Sequence, residues 1–138
     1  MAVVRFRNGA FATIEGTTNV YPENLEETLY LFGENGTVKL GGKAANHIDV
    51  WKFADEREED IHSRKLKEEV INVYGNGHAR LFADVIAAVK EDRNPYVDAY
   101  AGKRALELVL AIYKSQKDGK PVKLPLDDFA SAEMAGEF

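Results

Sequence analysis

Cysteine is absent from the 138 residues, which removes disulfides, thiolate zinc sites and cysteine nucleophiles together. No apolar run approaches the ~18 residues of a membrane span. The opening Met1-Ala2-Val3-Val4-Arg5-Phe6 lacks the long apolar stretch of a signal peptide. A cytoplasmic protein without a membrane partner is the expectation. Basic residues are outnumbered, 18 Lys and Arg against 23 Asp and Glu, for a formal net charge of −5. The basic stripe that nucleic-acid binding needs is missing, so no such partner is expected. Catalytic signatures are missing too: there is no Gly-x-Ser-x-Gly elbow, Walker-A loop or His-Glu-x-x-His. His47, His62 and His78 are scattered rather than set at metal-ligand spacing, and no metal site is expected.

What the chain does contain is enough apolar material for one core, 45% hydrophobic residues alongside 30% charged. Its length suits a single domain. The first third reads as strands. Val3 to Arg7 precedes Asn8-Gly9, a two-residue hairpin signal, after which Ala10 to Val20 resumes an extended run. Glu27 to Phe32 forms a third candidate, the Gly33-Glu34-Asn35-Gly36 turn leads into Thr37 to Leu40, and Asn46 to Phe53 is a fifth. The charged stretch Asp55 to Glu69 has no legible local structure, and its carboxylates Glu56, Glu58, Glu59 and Asp60 read as a solvated face. Residues 70–74 suggest a further short strand.

The period then changes. Leu81, Phe82, Val85, Ile86 and Val89 keep helical spacing between His78 and Lys90, and Asn94-Pro95 breaks that helix. In a second helix Ala101, Ala105, Leu108, Val109 and Ile112 share a face. Asp98 is its N-cap, and Gly119 with Pro121 stops it. Val122 to Leu124 reads as a short strand before a tail from Asp127 to Phe138. Strands followed by helices indicate an α+β fold, a mostly antiparallel open sheet with helices packed on one face. Leu29 and Leu31 alternate with Tyr30 and Phe32, and Ile48 and Val50 with Trp51 and Phe53, so the strands carry apolar groups on both faces. The face away from the helices is then available for pairing with a second copy, unless the tail and the charged stretch cover it.

Two glycine-rich places carry the candidate chemistry. Gly75-Asn76-Gly77-His78-Ala79-Arg80 opens a helix, but Arg80 occupies the third glycine of a dinucleotide fingerprint, and no parallel strand with an acidic residue follows. No cofactor-binding residue is therefore assigned. His78 in the first helical turn is expected neutral and able to exchange one hydrogen bond with a sugar hydroxyl or diphosphate, or else to cap and pack. In Gly41-Gly42-Lys43-Ala44-Ala45-Asn46-His47, Lys43 can face a phosphate and Asn46 can make a polar contact; the plain alternative is a solvated loop. His78, Asn46 and Lys43 are the candidate substrate-binding residues, and none is assigned as catalytic.

Several of these elements occur together in a recognisable order. Gly77-His78, the apolar helix to Lys90, Asn94-Pro95 with Val97-Asp98, then Gly102-Lys103-Arg104-Ala105-Leu106 through Ala111-Ile112-Tyr113, closing on Gly119-Lys120-Pro121-Val122, resemble the end of the C-terminal domain of Gfo/Idh/MocA oxidoreductases. The Gly33 to Val38 turn and strand resemble that family's sheet. Within the family, residues 26–28 through Gly41 to Trp51 are most similar to enzymes that oxidise UDP-N-acetylglucosaminuronate at the sugar C3.

The resemblance implies hydride transfer between NAD or NADP and a sugar carbon, with a lysine supplied by an N-terminal Rossmann domain. It also implies dimers or tetramers assembled through the open sheet face. Neither the Rossmann domain nor its Glu-Lys-Pro motif stands in these 138 residues, and the Asp/His pair many members carry is not visible. His78 matches the family's Gly-His position near the substrate pocket. On this reading residues 1–138 are a single substrate-binding and oligomerisation domain, inactive alone, whose partners are its own copies, the Rossmann domain and a sugar. The competing reading is a standalone, non-catalytic oligomerisation or ligand-binding module.

Overall fold

The computed structural model describes residues 1–70, 72 and 74–137, and its first hairpin forms around the Asn8-Gly9 signal. Strand β1 (Ala2–Arg5) pairs antiparallel with β2 (Phe11–Ile14), from Ala2 opposite Ile14 to Arg5 opposite Phe11. The reversal is wider than the expected two residues. Phe6 N donates to Ala10 O at 2.8 Å, and Gly9 N donates to Phe6 O at 3.1 Å, so Arg7, Asn8 and Gly9 make the turn. Asn8 accepts from Ala10 N through its side chain at 3.1 Å, and Gly9 sits at φ +93°. This is the three-residue solution, in which a glycine in the left-handed region closes a tight turn. Strand β2 stops at Ile14, short of the expected Val20. Beyond Gly16, Asn19 N bonds to Thr17 Oγ1 at 3.0 Å, a local side-chain turn that competes with the ladder.

The fold is α+β, and its strands form two small antiparallel sheets in place of one. With residues 15–28 outside any strand, the hairpin and the later strands fall in separate compact units, residues 1–16 with 84–138 and residues 17–83.

In the 17–83 unit, β3 (Leu29–Gly33), β4 (Gly36–Gly41) and β5 (His47–Phe53) lie in the order β3-β4-β5. Glu34-Asn35 closes the first reversal, with Gly33 opposite Gly36. Val38, buried on the central strand, lies opposite Leu31 on one side and Trp51 on the other. The β4–β5 ladder is regular to Lys39 opposite Val50 and resumes at Leu40 opposite Ile48, which leaves Asp49 as the extra residue of a bulge.

The charged stretch contains helix α1 (Glu58–Ser63), which packs on β5. One residue explains the docking. Asp60 is buried, accepting from Trp51 Nε1 at 2.7 Å and, across the helix start, from Arg57 N at 2.7 Å. The acidic cluster read as a solvated face therefore has one member turned inward. After α1 the chain runs back beside the start of β5, where Ile48 N donates to Leu66 O and Glu68 N to Asn46 O. Of the short strand expected over residues 70–74, Ile71 and Val73 lie outside the described residues, and Val70, Asn72 and Tyr74 are not in a strand.

Helix α2 (Gly77–Glu91) carries the unit boundary between Ala83 and Asp84. In the second unit Asp84 organises the connection beyond α2, accepting from Tyr96 N at 2.6 Å and pairing with Arg93 at 2.9 Å. Helix α3 (Ala99–Asp118) begins and ends as its sequence dictates: Asp98 Oδ1 accepts from Ala101 N at 2.7 Å, and Gly119 caps the other end at φ +64°. The strand expected over Val122 to Leu124 does not form. Pro121 and Pro125 bracket those three residues, and each removes a ladder donor. The tail folds onto α3 instead: Leu126 N donates to Glu107 at 2.7 Å, Lys114 lies over the Phe129 ring, and Ser131–Met134 forms a 3-10 turn packed on α3. Strand β3 remains exposed at all five residues.

Candidate functional site

The bulge in β5 sets the geometry at one end of the three-stranded sheet. Bulges re-aim side chains, and here the extra residue brings the Asp49 carboxylate between Lys39 and His47. Lys39 Nζ lies 2.7 Å from Asp49 Oδ2, and His47 Nε2 lies 2.8 Å from Asp49 Oδ1. The Lys39 hydrogen bond, with a further contribution from His47, holds the Asp49 carboxyl below the usual carboxylate range; Asp49 in turn raises Lys39. Lys39 also stands over the ring of Tyr30, its cross-strand neighbour, at 5.4 Å. The imidazole of His47 is thus tethered through one nitrogen.

Gly41 and Gly42 make room for this arrangement. A Cβ on Gly41 would meet Asp49 Oδ2, and one on Gly42 would collide with Asn46 Oδ1 and stand 2.8 Å from His47 Nδ1. Gly42 also has φ +97°, which disfavours any side chain there. The 42–46 connection is therefore wrapped tightly by its own polar residues. Asn46 Nδ2 donates to Glu68 O at 2.6 Å, and this bond orients the amide, leaving Asn46 Oδ1 buried without a hydrogen-bond partner among the described residues. Lys43 points outward and pairs with Glu23 at 2.6 Å, lowering the Glu23 carboxyl.

The second glycine-rich place lies in the same unit. Tyr74 N bonds to Asn72 Oδ1 at 2.9 Å, Gly75 follows at φ +63°, and α2 starts at Gly77. Asn76 uses its side-chain amide twice, donating to Glu68 Oε1 at 3.1 Å and to Glu69 O at 2.9 Å. His78 is exposed in the first turn of α2, with the Tyr74 ring edge-on at 6.3 Å.

Of the residues singled out from sequence, Asn46 and the loop leading to His78 are thus tied to one short segment, residues 68–69. Lys43 shares the loop of Asn46, but its hydrogen-bond partner is Glu23. Sequence reasoning passed over Lys39, Asp49 and Glu68. For the first two, the opposite charges stand on adjacent predicted strands, but the bulge that brings them together has no mark in the sequence. For Glu68 no signal exists, because half of its role is played by a backbone carbonyl.

The arrangement offers amide, imidazole and ammonium groups suited to a polar, hydroxyl-rich or anionic ligand. It does not fit a dinucleotide. Both sheets are antiparallel, and the Gly75 to Gly77 turn does not join a parallel strand to its helix among the described residues, so the pyrophosphate cradle of a strand–turn–helix unit is not formed. Among the described residues no helix is long and apolar enough to cross a membrane.

Comparison with known proteins places these features in a wider setting. Residues 1–124 match the family model described as the oxidoreductase family, C-terminal alpha/beta domain, of the Gfo/Idh/MocA group. No curated protein matches the chain. Among solved structures, the chain is similar to the WlbA dehydrogenase from Bordetella pertussis, solved in complex with NADH and UDP-GlcNAcA. The TM-score is 0.81 and the identity 42%, over 91% of this chain and 36% of that one. It is also similar to the WlbA dehydrogenase from Chromobacterium violaceum, in complex with the same two ligands, with TM-score 0.77 and 34% identity over 91% of this chain and 34% of that one. The chain therefore spans about a third of the length of each.

Proposed function

The chain belongs to the Gfo/Idh/MocA oxidoreductase family, whose C-terminal alpha/beta domain it matches, and from that membership we propose that it is the substrate-side and assembly domain of an NAD-dependent sugar-nucleotide dehydrogenase. The observation that carries this reading is the 42% identity, over 91% of the chain, to a dehydrogenase solved with NADH and UDP-GlcNAcA. The substrate class is then a UDP-linked uronic acid sugar, oxidised at C3. NAD, held by an N-terminal Rossmann domain, accepts the hydride when bound. This chain's part is to bind and orient the sugar nucleotide, with His78, Asn46 and Lys43 as its contacts. Lys43 can exchange its exposed pairing with Glu23 for a phosphate, since such surface pairs are weak. Alone, the domain has no turnover.

Strand β3, exposed at all five residues and apolar on both faces, supports assembly into dimers or tetramers through the sheet. The cysteine-free composition suits a cytoplasmic setting.

The test is turnover by the full-length protein that carries this chain, given NAD and UDP-GlcNAcA. NADH should appear only when both are present, and the product should carry a carbonyl at the sugar C3. Failure to form NADH with any UDP-sugar tried, UDP-GlcNAcA included, by a protein that binds NAD normally would overturn the proposal.

A further inference from the structure

Two glycine-rich places of the 17–83 unit are joined through one residue, Glu68. The Asn46 loop is held to Glu68 by a pair of bonds, Asn46 Nδ2 to Glu68 O at 2.6 Å and Glu68 N to Asn46 O at 2.9 Å. The Asn76 loop, which delivers His78, is held to the same residue by its carboxylate at 3.1 Å, with the neighbouring Glu69 carbonyl taking the second amide hydrogen at 2.9 Å. The backbone of Glu68 thus grips one loop and its side chain the other. The described bonds between the two loops all run through residues 68 and 69.

We infer that Glu68 is a positioning residue for the sugar-nucleotide site: it sets the spacing of the Asn46 and His78 loops so that groups on both can close on one ligand. The inference rests on the proposed function for the identity of that ligand, but not for the coupling of the loops. Holding two binding elements in register lowers the ordering cost that binding would otherwise incur. Removing the carboxylate should therefore weaken substrate binding while leaving the groups that touch the cofactor alone. The role needs an acceptor oxygen facing Asn76 and not a negative charge, so glutamine should replace glutamate.

In the full-length protein, Glu68→Ala and Asn76→Ala should each raise KM for UDP-GlcNAcA by about tenfold, the effect of losing roughly one hydrogen bond's worth of pre-organisation. KM for NAD should not move. Glu68→Gln should restore the KM for UDP-GlcNAcA to within about twofold of the parent value. The double variant Glu68→Ala/Asn76→Ala should be no worse than Asn76→Ala, which already removes the bond to the Glu68 carboxylate along with that to Glu69 O. Additive losses, or a Glu68→Gln variant as impaired as Glu68→Ala, would overturn the inference.

Should the parent protein turn over no UDP-sugar, the proposed function fails and the coupling is still decided by the Asn76 side-chain amide resonances. Glu68→Ala must speed their hydrogen exchange and Glu68→Gln must keep it slow; equal exchange in all three proteins rejects the link.

Discussion

Asn46 and Asn76, from different loops, donate their side-chain amides to the two ends of Glu68, the first to its backbone carbonyl at 2.6 Å and the second to its carboxylate at 3.1 Å. The relationship turns two separate glycine-rich turns into one polar surface. It also explains why neither turn resembles a complete site in sequence, since each supplies part of the donors and the join lies elsewhere.

His78 is the group on this surface most readily tested. His78→Ala in the full-length protein should raise KM for the sugar nucleotide by roughly tenfold while KM for NAD is unchanged. Steady-state kinetics with each substrate varied in turn checks this. Unchanged kcat/KM would leave His78 as a partner for the Tyr74 ring and nothing more.

Asp60 ties acid stability to an optical signal. Its carboxyl is held below the usual range, first by the Trp51 indole hydrogen bond and then by the Arg57 backbone N–H. The folded state thus favours the carboxylate. The stabilisation is fully present above the ordinary aspartate pKa of about 3.9 and is lost as pH falls through the lower folded value. Trp51 is the only tryptophan, so its emission should change in that acid window and show no comparable step between pH ~5 and ~8. Asp60→Asn should abolish the step; a step that persists in this variant would assign it to another group.

Gly42 should tolerate no side chain. Gly42→Ala places a Cβ against Asn46 Oδ1 and close to His47 Nδ1, at a backbone angle of +97°. A cost on the order of 1–3 kcal/mol is expected from the combined crowding and backbone strain. Thermal unfolding followed by circular dichroism checks the loss. Gly16→Ala, with open space at its Cβ position and no positive φ, is the control that should melt near the parent temperature.

Assembly should depend on β3. Phe32 is 78% exposed, with its ring stacked on Tyr30 at 6.1 Å. Phe32→Lys puts a charge on the face proposed to pair, and should shift dimers or tetramers to monomers in light scattering, with the melting temperature of the monomeric form little changed. A parent chain that is already monomeric at working concentration would refute pairing through this face.

Helix α3 was legible almost to the residue because both its ends are written in side-chain chemistry: an aspartate that can reach a free backbone N–H and a glycine that adopts φ +64°. The reversals at Asn8-Gly9 and Glu34-Asn35 were legible for a similar reason, although the first needed one residue more than expected. Helix α1 was hidden. It has no apolar stripe to give a period, and it docks through Asp60 meeting an indole on β5. The short strand expected at 122–124 reflects propensity without a partner, and Pro121 and Pro125 leave little ladder to form. At the site, residue types pointed to Asn46 and His78, but the Lys39–Asp49–His47 cluster depends on a bulge, a backbone event with no reliable sequence mark.

The outer edge of β3 has a consequence for handling the chain. Strand β3 pairs with β4 alone, and its other row of backbone groups has no ladder partner among the described residues. An open edge between two apolar faces is a template on which further strands can add without limit. Loss of soluble material should then rise with concentration before any melting occurs, as strand addition proceeds from the folded state. A single inward-facing lysine or a proline on β3, placed to interrupt that row, is the remedy of choice for keeping the free domain in solution.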